Sequence, residues 1–279
     1  MTKFFTHTLL FAAFSMVLTG VLAAQAPAPA ALNTPAAGVL NAPAAGVPSK
    51  DAAAILDRYV EVTGGKVAYQ KLISEVIEGT LSLPEQGLSG KLIRYSLPPD
   101  KEYSVVDVPQ VGKFESGFTN GVAWDKTSML GPRLKTGEEM LQAQREARFN
   151  ASYLWRSVYA KAETSGVEMV EGEECDKVIL TPKAGRAETQ YYSRVTGLLV
   201  KTVMVAASPM GDVNAESIVS NYKPYGGILY PTRSVQKAGQ QKVELNVTKV
   251  TFNEPIPAEY FETPAEIKAL VGKAGAKAK

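Results

Sequence analysis

Few residues in this chain could do covalent chemistry. His7 is the single histidine. It lies in a stretch with the form of a secretory signal, residues 1–23. Lys3 supplies a positive n-region, Leu9–Leu18 is an apolar segment too short to span a bilayer, and Val21-Leu22-Ala23 precedes cleavage at Ala24. Cleavage removes the imidazole, and with it any Ser-His-Asp triad, Cys-His pair or histidine-bearing zinc site. Cys175 is the only cysteine, so no intramolecular disulfide can form. A lone thiol in a strand reads as a small buried hydrophobe.

Carboxylates are the remaining candidates. Glu138/Glu139 opens a predicted helix and Glu173/Glu174 falls in a turn. Glu115 and Asp125, on neighbouring predicted strands, are the one pair that could share a face at hydrolase spacing. Salt-bridged surface charge is the plainer reading of them. Gly87-Leu-Ser-Gly90-Lys91-Leu92 fails as a phosphate loop, because Leu92 stands where Ser or Thr must hold the metal. The sequence calls for no cofactor and contains no metal-ligand set.

What is left is non-covalent. Phe114, Phe118, Trp124, Met129, Met140, Tyr153, Leu154 and Trp155 gather around one predicted helical insertion and its flanking strands. Ordinary core is one reading of this set. The other is the wall of an acyl-binding cavity, for which flexible Met is well suited. Burying ten methylenes at about 0.8 kcal/mol each recovers roughly 8 kcal/mol before ordering costs, an affinity of about micromolar or weaker.

The elements that would position these residues are mostly strands. A Pro/Ala/Gly linker over 24–50 repeats itself, Ala31-Leu-Asn-Thr-Pro-Ala-Ala-Gly-Val39 being echoed by Val39-Leu-Asn-Ala-Pro-Ala-Ala-Gly-Val47; such a stretch reads as a disordered tether. A helix is predicted from Asp51 to about Val62, N-capped by Ser49, with a shorter turn over Lys66–Leu72. Five strands follow: Ile73–Leu83, Lys91–Leu97, Glu102–Val108, Gly112–Thr119 and Val122–Lys126. Asn120-Gly121 marks a two-residue hairpin between the last two.

The alternation breaks between Thr127 and Lys161. Met129-Leu130-Gly131-Pro132 reads as loop. A helix opens at Thr136, with Glu139 at capping-box spacing, and runs to about Asn150; a second, aromatic-rich helical piece covers Tyr153–Tyr159. Six strands are then predicted: Cys175–Thr181, Ala187–Ser193, Leu198–Ala206, Asn214–Tyr222, Ile228–Gln236 and Gln241–Phe252. A helix over Ala265–Val271 and a frayed basic tail, 272–279, close the chain.

Strand Leu198–Ala206 is apolar on both faces, with Leu198, Val200 and Met204 against Leu199, Val203 and Val205. Glu102–Val108 behaves similarly, so both strands need cover on both sides. The fold class is therefore mainly β (α+β), a strongly curved antiparallel sheet or open barrel with helices packed on it.

Within Val170–Lys201 the order is Gly-x-x-Cys175, an aliphatic strand, Tyr191-Tyr192, then Thr196-Gly-Leu-Leu-Val200. This corner resembles the bacterial outer-membrane lipoprotein-sorting proteins, the LolA-like family, and the likeness in element order extends over 51–271. The resemblance implies an unclosed half-barrel whose concave side is capped by helices over an apolar acyl-chain cavity. It further implies a periplasmic protein that carries or senses lipid or lipoprotein acyl chains, taking them from an inner-membrane donor complex and giving them to an outer-membrane acceptor.

Without residues 1–23 the formal balance is 29 basic against 28 acidic groups, a net of +1, which offers no electrostatic case for nucleic acid. No cysteine near the cleavage site provides a lipid anchor, and no later stretch is apolar enough to span a membrane. The readings carried forward are a non-catalytic acyl carrier or sensor, an envelope scaffold with a filled core, and a carboxylate hydrolase using Glu115 and Asp125.

Overall fold

The computed structural model describes residues 51–109 and 111–277; the signal and linker assignments and the Ser49 cap lie outside them. Helix α1 (Ala52–Val62) begins with Asp51 at the N-cap position and buries Ala52, Ile55, Leu56, Tyr59 and Val60, the face its 3.6-residue period predicts. A short turn of helix, α2 (Lys66–Tyr69), follows.

The strands are β1 (Glu75–Leu83), β2 (Leu88–Leu97), β3 (Lys101–Val108), β4 (Gly112–Thr119), β5 (Val122–Thr127) and β6 (Gly131–Leu134). After an insertion containing α3 (Gly137–Glu146) and α4 (Trp155–Val158) come β7 (Tyr159–Val170), β8 (Glu173–Pro182), β9 (Glu188–Ser193), β10 (Leu199–Ser208), β11 (Gly211–Tyr225), β12 (Ile228–Ala238) and β13 (Gln241–Phe252). A 3-10 turn, Ala258–Phe261, leads to α5 (Ala265–Lys277), longer than the helix expected over Ala265–Val271.

All thirteen strands join one antiparallel sheet in the order β6-β5-β4-β3-β2-β1-β13-β12-β11-β10-β9-β8-β7. Strands consecutive in sequence are neighbours in space except β6 and β7, and the two halves meet where β1 pairs with β13. The edges, β6 and β7, do not pair, so the sheet is an unclosed half-barrel. The chain from one edge to the other passes through α3 and α4, which must therefore cross the concave side.

The curvature can be read from contacts. Helix α3 touches both β5 and β10, eight places apart in strand order. Laid flat, that separation is roughly 38 Å, whereas a ten-residue helix is about 15 Å long. The sheet curls around the helix. Inside the curl one apolar core unites α1 (Ile55, Leu56, Tyr59), Trp155, and inward residues of strands from both halves, among them Leu81, Val106, Val178, Leu180 and Leu245.

Both edge strands depart from the sequence expectation. Gly131–Leu134, read in part as loop, is an edge strand whose residues are all half-buried, so no alternation marks it. Tyr159, read as the end of a helical piece, instead opens the twelve-residue β7, most of which faces solvent on both sides. Helix α3 ends at Glu146 rather than near Asn150, which sits in a left-handed turn and donates from Nδ2 to Tyr69 O at 3.0 Å. The Thr136–Glu139 capping box does not form: Thr136 is at the N-cap without a side-chain bond, and the Glu139 carboxylate accepts from Arg133 at 2.8 and 2.9 Å.

In β10, pairing with β9 slips between Leu199 and Lys201. The bulge turns Leu199 to the same core as Met204 and leaves Val200 and Val203 in a separate cluster with Val170, Cys175 and Tyr191. The second cover over β3 comes from the C-terminal segment. Tyr260 stacks on Tyr95 and Tyr103 on the convex side, with centroids 4.2 and 5.8 Å away.

Candidate functional site

The concave face divides into a polar half and an apolar half. Adjacent inward positions on β1 to β5 carry Glu75, Arg94, Glu102, Ser104, Ser116 and Asp125, all buried. Helix α3 lies over them with Gln142, Arg145 and Glu146 buried beneath it. The pairing is mutual. Arg94 is ion-paired with Glu102, and its Nη2 donates to the Glu146 carbonyl at 3.4 Å. Lys135 Nζ lies 3.0 Å from Asp125, which also pairs with Arg133. Gln142 donates to Glu146 Oε1 at 2.9 Å and accepts from the Ala207 amide at 3.3 Å, tying β10 to the seam.

Burial dominates the protonation chemistry here. It pushes the Glu146 carboxyl up to about 7, against the pull of Lys135 and the Gln142 hydrogen bond. Glu75 is likewise held well above the ordinary carboxylate range by burial, with Arg94 opposing. Further along, Glu188 accepts from Tyr159 Oη and Gln190 Nε2, both at 2.7 Å, and Arg145 Nε approaches it at 3.6 Å. No residue pattern in the sequence announced this seam. Its signal, polar residues at inward strand positions, appears only once strand register is known.

The apolar half is sealed by α1 and α4. Trp155 roofs a void of about 20 Å³ lined by Leu56, Tyr59, Leu180, Tyr192 and their neighbours. That is about one water's room. The roof is latched at Asp57, which accepts from the Trp155 indole at 3.1 Å and from both Arg156 Nη atoms at 2.7 and 2.8 Å. The Arg156 hydrogen bond is the main cause holding Asp57 below its usual value. Arg58 fixes α1 to the β9–β10 turn through the carbonyls of Arg194 and Val195, at 3.0 and 2.8 Å.

Two open grooves flank α4. One, of about 480 Å³, is lined by Asp57, Lys66, Tyr153, Leu154 and Arg156. The other, of about 370 Å³, lies between α3, α4 and the β8–β9 turn.

The eight sequence-picked residues fall in different places. Phe114 and Trp155 belong to the central core. Phe118 and Met140 pack together under α3 with Ala143 and Ala147. Tyr153 stacks on Tyr69 at 5.1 Å, and with Leu154 it faces the larger groove. Met129 is mostly exposed in the β5–β6 turn. Trp124 is buried on the convex side, over Gly117 and beside Tyr103. The set does not converge on one cavity.

The hydrolase pair is separated by the sheet. Glu115 pairs in register with Lys126, and Asp125 with Ser116, so Glu115 and Asp125 point to opposite faces. Glu115 accepts from Tyr103 Oη at 2.7 Å on the convex side, while Asp125 is locked in the inner seam. Among the described residues no helix is long and apolar enough to cross a membrane.

No protein-family model matches the chain, and no curated protein sequence matches it. Solved structures do. A DUF1329 family protein from Desulfovibrio piger superposes with a TM-score of 0.52 at 15% identity, over 76% of this chain and 97% of that one. A LolA superfamily protein from Nitrosomonas europaea gives 0.53 at 13% identity, over 77% and 99%. A candidate outer membrane lipoprotein-sorting protein domain from Vibrio parahaemolyticus gives 0.51 at 12% identity, over 76% and 97%. At these identities the likeness is one of fold, and at that level the resemblance read from the β8–β10 residues holds.

Proposed function

We propose that this protein is a non-catalytic carrier or sensor of lipid or lipoprotein acyl chains in the bacterial periplasm. The observation that carries the reading is the Trp155-roofed void: an apolar stretch of concave face closed by α1 and the short helix α4. As it stands the void holds no acyl chain, so binding requires α4 to lift. The latch is cheap to release. Asp57 and Arg156 are each more than half exposed, and an exposed ion pair stabilises by about 0–1 kcal/mol. Against that, ten methylenes entering the core recover roughly 8 kcal/mol before ordering and re-exposure costs. Net binding of about micromolar strength or weaker suits cargo that is taken from an inner-membrane donor complex and yielded to an outer-membrane acceptor. The LolA superfamily fold supports this reading, and the opposed faces of Glu115 and Asp125 argue against the hydrolase.

The small size of the void favours a second reading, a scaffold whose core is permanently filled. A Trp124→Phe variant leaves Trp155 as the sole tryptophan, so its emission reports on the roof. Titrating delipidated variant with a soluble fatty acid should give a saturable change in that emission. A flat titration, with the protein folded, rejects the carrier and leaves the scaffold.

A further inference from the structure

We propose that the groove between α3, α4 and the β8–β9 turn binds a phosphate-class oxyanion, carried on a lipid headgroup or free in solution. Its volume of about 370 Å³ admits such a group. Three cations line it from separate segments: Arg145 on α3, Arg148 just beyond that helix, and Lys183 in the turn after β8. Among the described residues of the lining Asp100 is the one carboxylate, and Ser157 adds a hydroxyl. Among the described residues, neither Arg148 nor Lys183 has an ion-pair partner.

The second observation is the state of Arg145. Its residue is only 6% exposed, yet among the described residues Nε and Nη1 find no hydrogen-bond acceptor. Glu188 Oε2, 3.6 Å from Nε, compensates the charge without reaching hydrogen-bond distance, while Glu188 Oε1 accepts from Tyr159 and Gln190. Arg145 lines the groove, and a buried guanidinium with idle donors gains from an acceptor that arrives beside it. The turn is shaped to lie against this side chain. Gly185 has φ +92°, and a Cβ there would stand 3.2 Å from Arg145 Nη1 and 2.9 Å from Glu138 Oε1. Glu138 Oε1 in turn accepts from the Arg186 amide at 2.7 Å, pinning the turn to α3.

The position also fits a lipid. Ser157 and Val158 line the groove while Trp155 and Tyr159 line the void, so α4 contributes to both. The lipid form of this proposal rests on the acyl-carrier reading; the oxyanion site itself does not.

The test uses full-length protein and three probes by titration calorimetry: inorganic phosphate, monomeric dioctanoyl phosphatidic acid, and uncharged dioctanoylglycerol. The comparison variant is R148Q/K183Q, which alters two residues outside the core. Both phosphate probes should bind saturably, and the variant should weaken each by about tenfold or more, as expected for losing two charge-assisted contacts. Tighter binding of phosphatidic acid than of phosphate identifies a lipid headgroup, and equal binding identifies the free anion. Absence of binding by both phosphate probes, or affinities unchanged in the variant, overturns the site. Dioctanoylglycerol separates the two readings: its failure alone rejects the acyl pocket and leaves the groove, whereas its binding without a phosphate preference rejects the groove and leaves the pocket.

Discussion

Glu146→Gln should stabilise this protein, and should do so only above mildly acidic pH. Glu146 is fully buried under α3, and its carboxyl is pushed from an ordinary 4.5 up to about 7, first by burial. Because the folded state holds the proton more tightly than the unfolded state, stability is highest below about pH 4.5 for this group and falls as pH rises through about 7. The full penalty at about pH 8 is on the order of 3 kcal/mol, from 1.36 kcal/mol per pKa unit. Glutamine cannot ionise, and its Oε1 can still accept from Gln142 Nε2, the bond now 2.9 Å long. The surrounding cations keep partners: Lys135 retains Asp125 at 3.0 Å and Arg145 retains Glu188 at 3.6 Å. The bond from Arg94 goes to the backbone carbonyl and survives the change. Urea unfolding of wild type and variant across about pH 4.5 to 8 isolates the group, since every other titration is common to both. The difference should grow from near zero to about 3 kcal/mol, a Tm gain of roughly 6–12 °C at the upper pH. A variant no more stable at pH 8, or a difference that does not change across the window, refutes the account.

Gly117→Ala should lower the urea midpoint without changing the slope, by roughly 1–3 kcal/mol. A Cβ there meets the Trp124 ring at 2.7 Å, and that ring is buried beside Tyr103. Unchanged stability would mean the ring has room to move. Cys175 is fully buried and its thiol is pushed up to about 12 by burial, with Glu173 and Asp176 adding to the rise. A thiol reagent at about pH 8 should therefore label it only at the rate of unfolding, and prompt labelling of native protein would contradict this.

Legibility in the sequence followed burial contrast. Strand β1 buries Glu75, Ile77, Gly79, Leu81 and Leu83 and alternates along its length, so its period-2 pattern was readable. Helix α1 buries the stripe its spacing predicts. The Asn120-Gly121 hairpin forms as its residues require, both with positive φ. The missed strands are the two sheet edges, where one side has no neighbour and the contrast vanishes: β6 is half-buried throughout, and β7 is exposed over most of its length. The Glu115/Asp125 pairing failed for a different reason. A two-residue turn at 120–121 sets Thr119 opposite Val122, hence Glu115 opposite Lys126 and Asp125 opposite Ser116, which puts Asp125 on the other face from Glu115. The buried seam was invisible because Arg94, Glu102, Asp125 and Glu146 look like surface charge until the strands and α3 bring them together.

The two halves of the concave face hold their covers with very different strength, and this decides which part moves. Detaching α3 would break the buried Arg145–Glu188 pair, the Arg133–Glu139 pair, the Arg94 bond to the Glu146 carbonyl and the Ala207 bond to Gln142, and a hydrogen bond to a charged group contributes about 1.5–3 kcal/mol. Detaching α4 breaks the exposed Asp57–Arg156 pair, at about 0–1 kcal/mol, plus one indole hydrogen bond at about 1 kcal/mol. What chiefly resists is the burial of Trp155 itself, and that is the surface an incoming acyl chain would replace. The polar seam thus acts as the fixed wall of the half-barrel, anchoring the insertion between its two free edges. On the carrier reading proposed above, ligand would enter from the β7–β9 side, under α4, with α3 remaining in place.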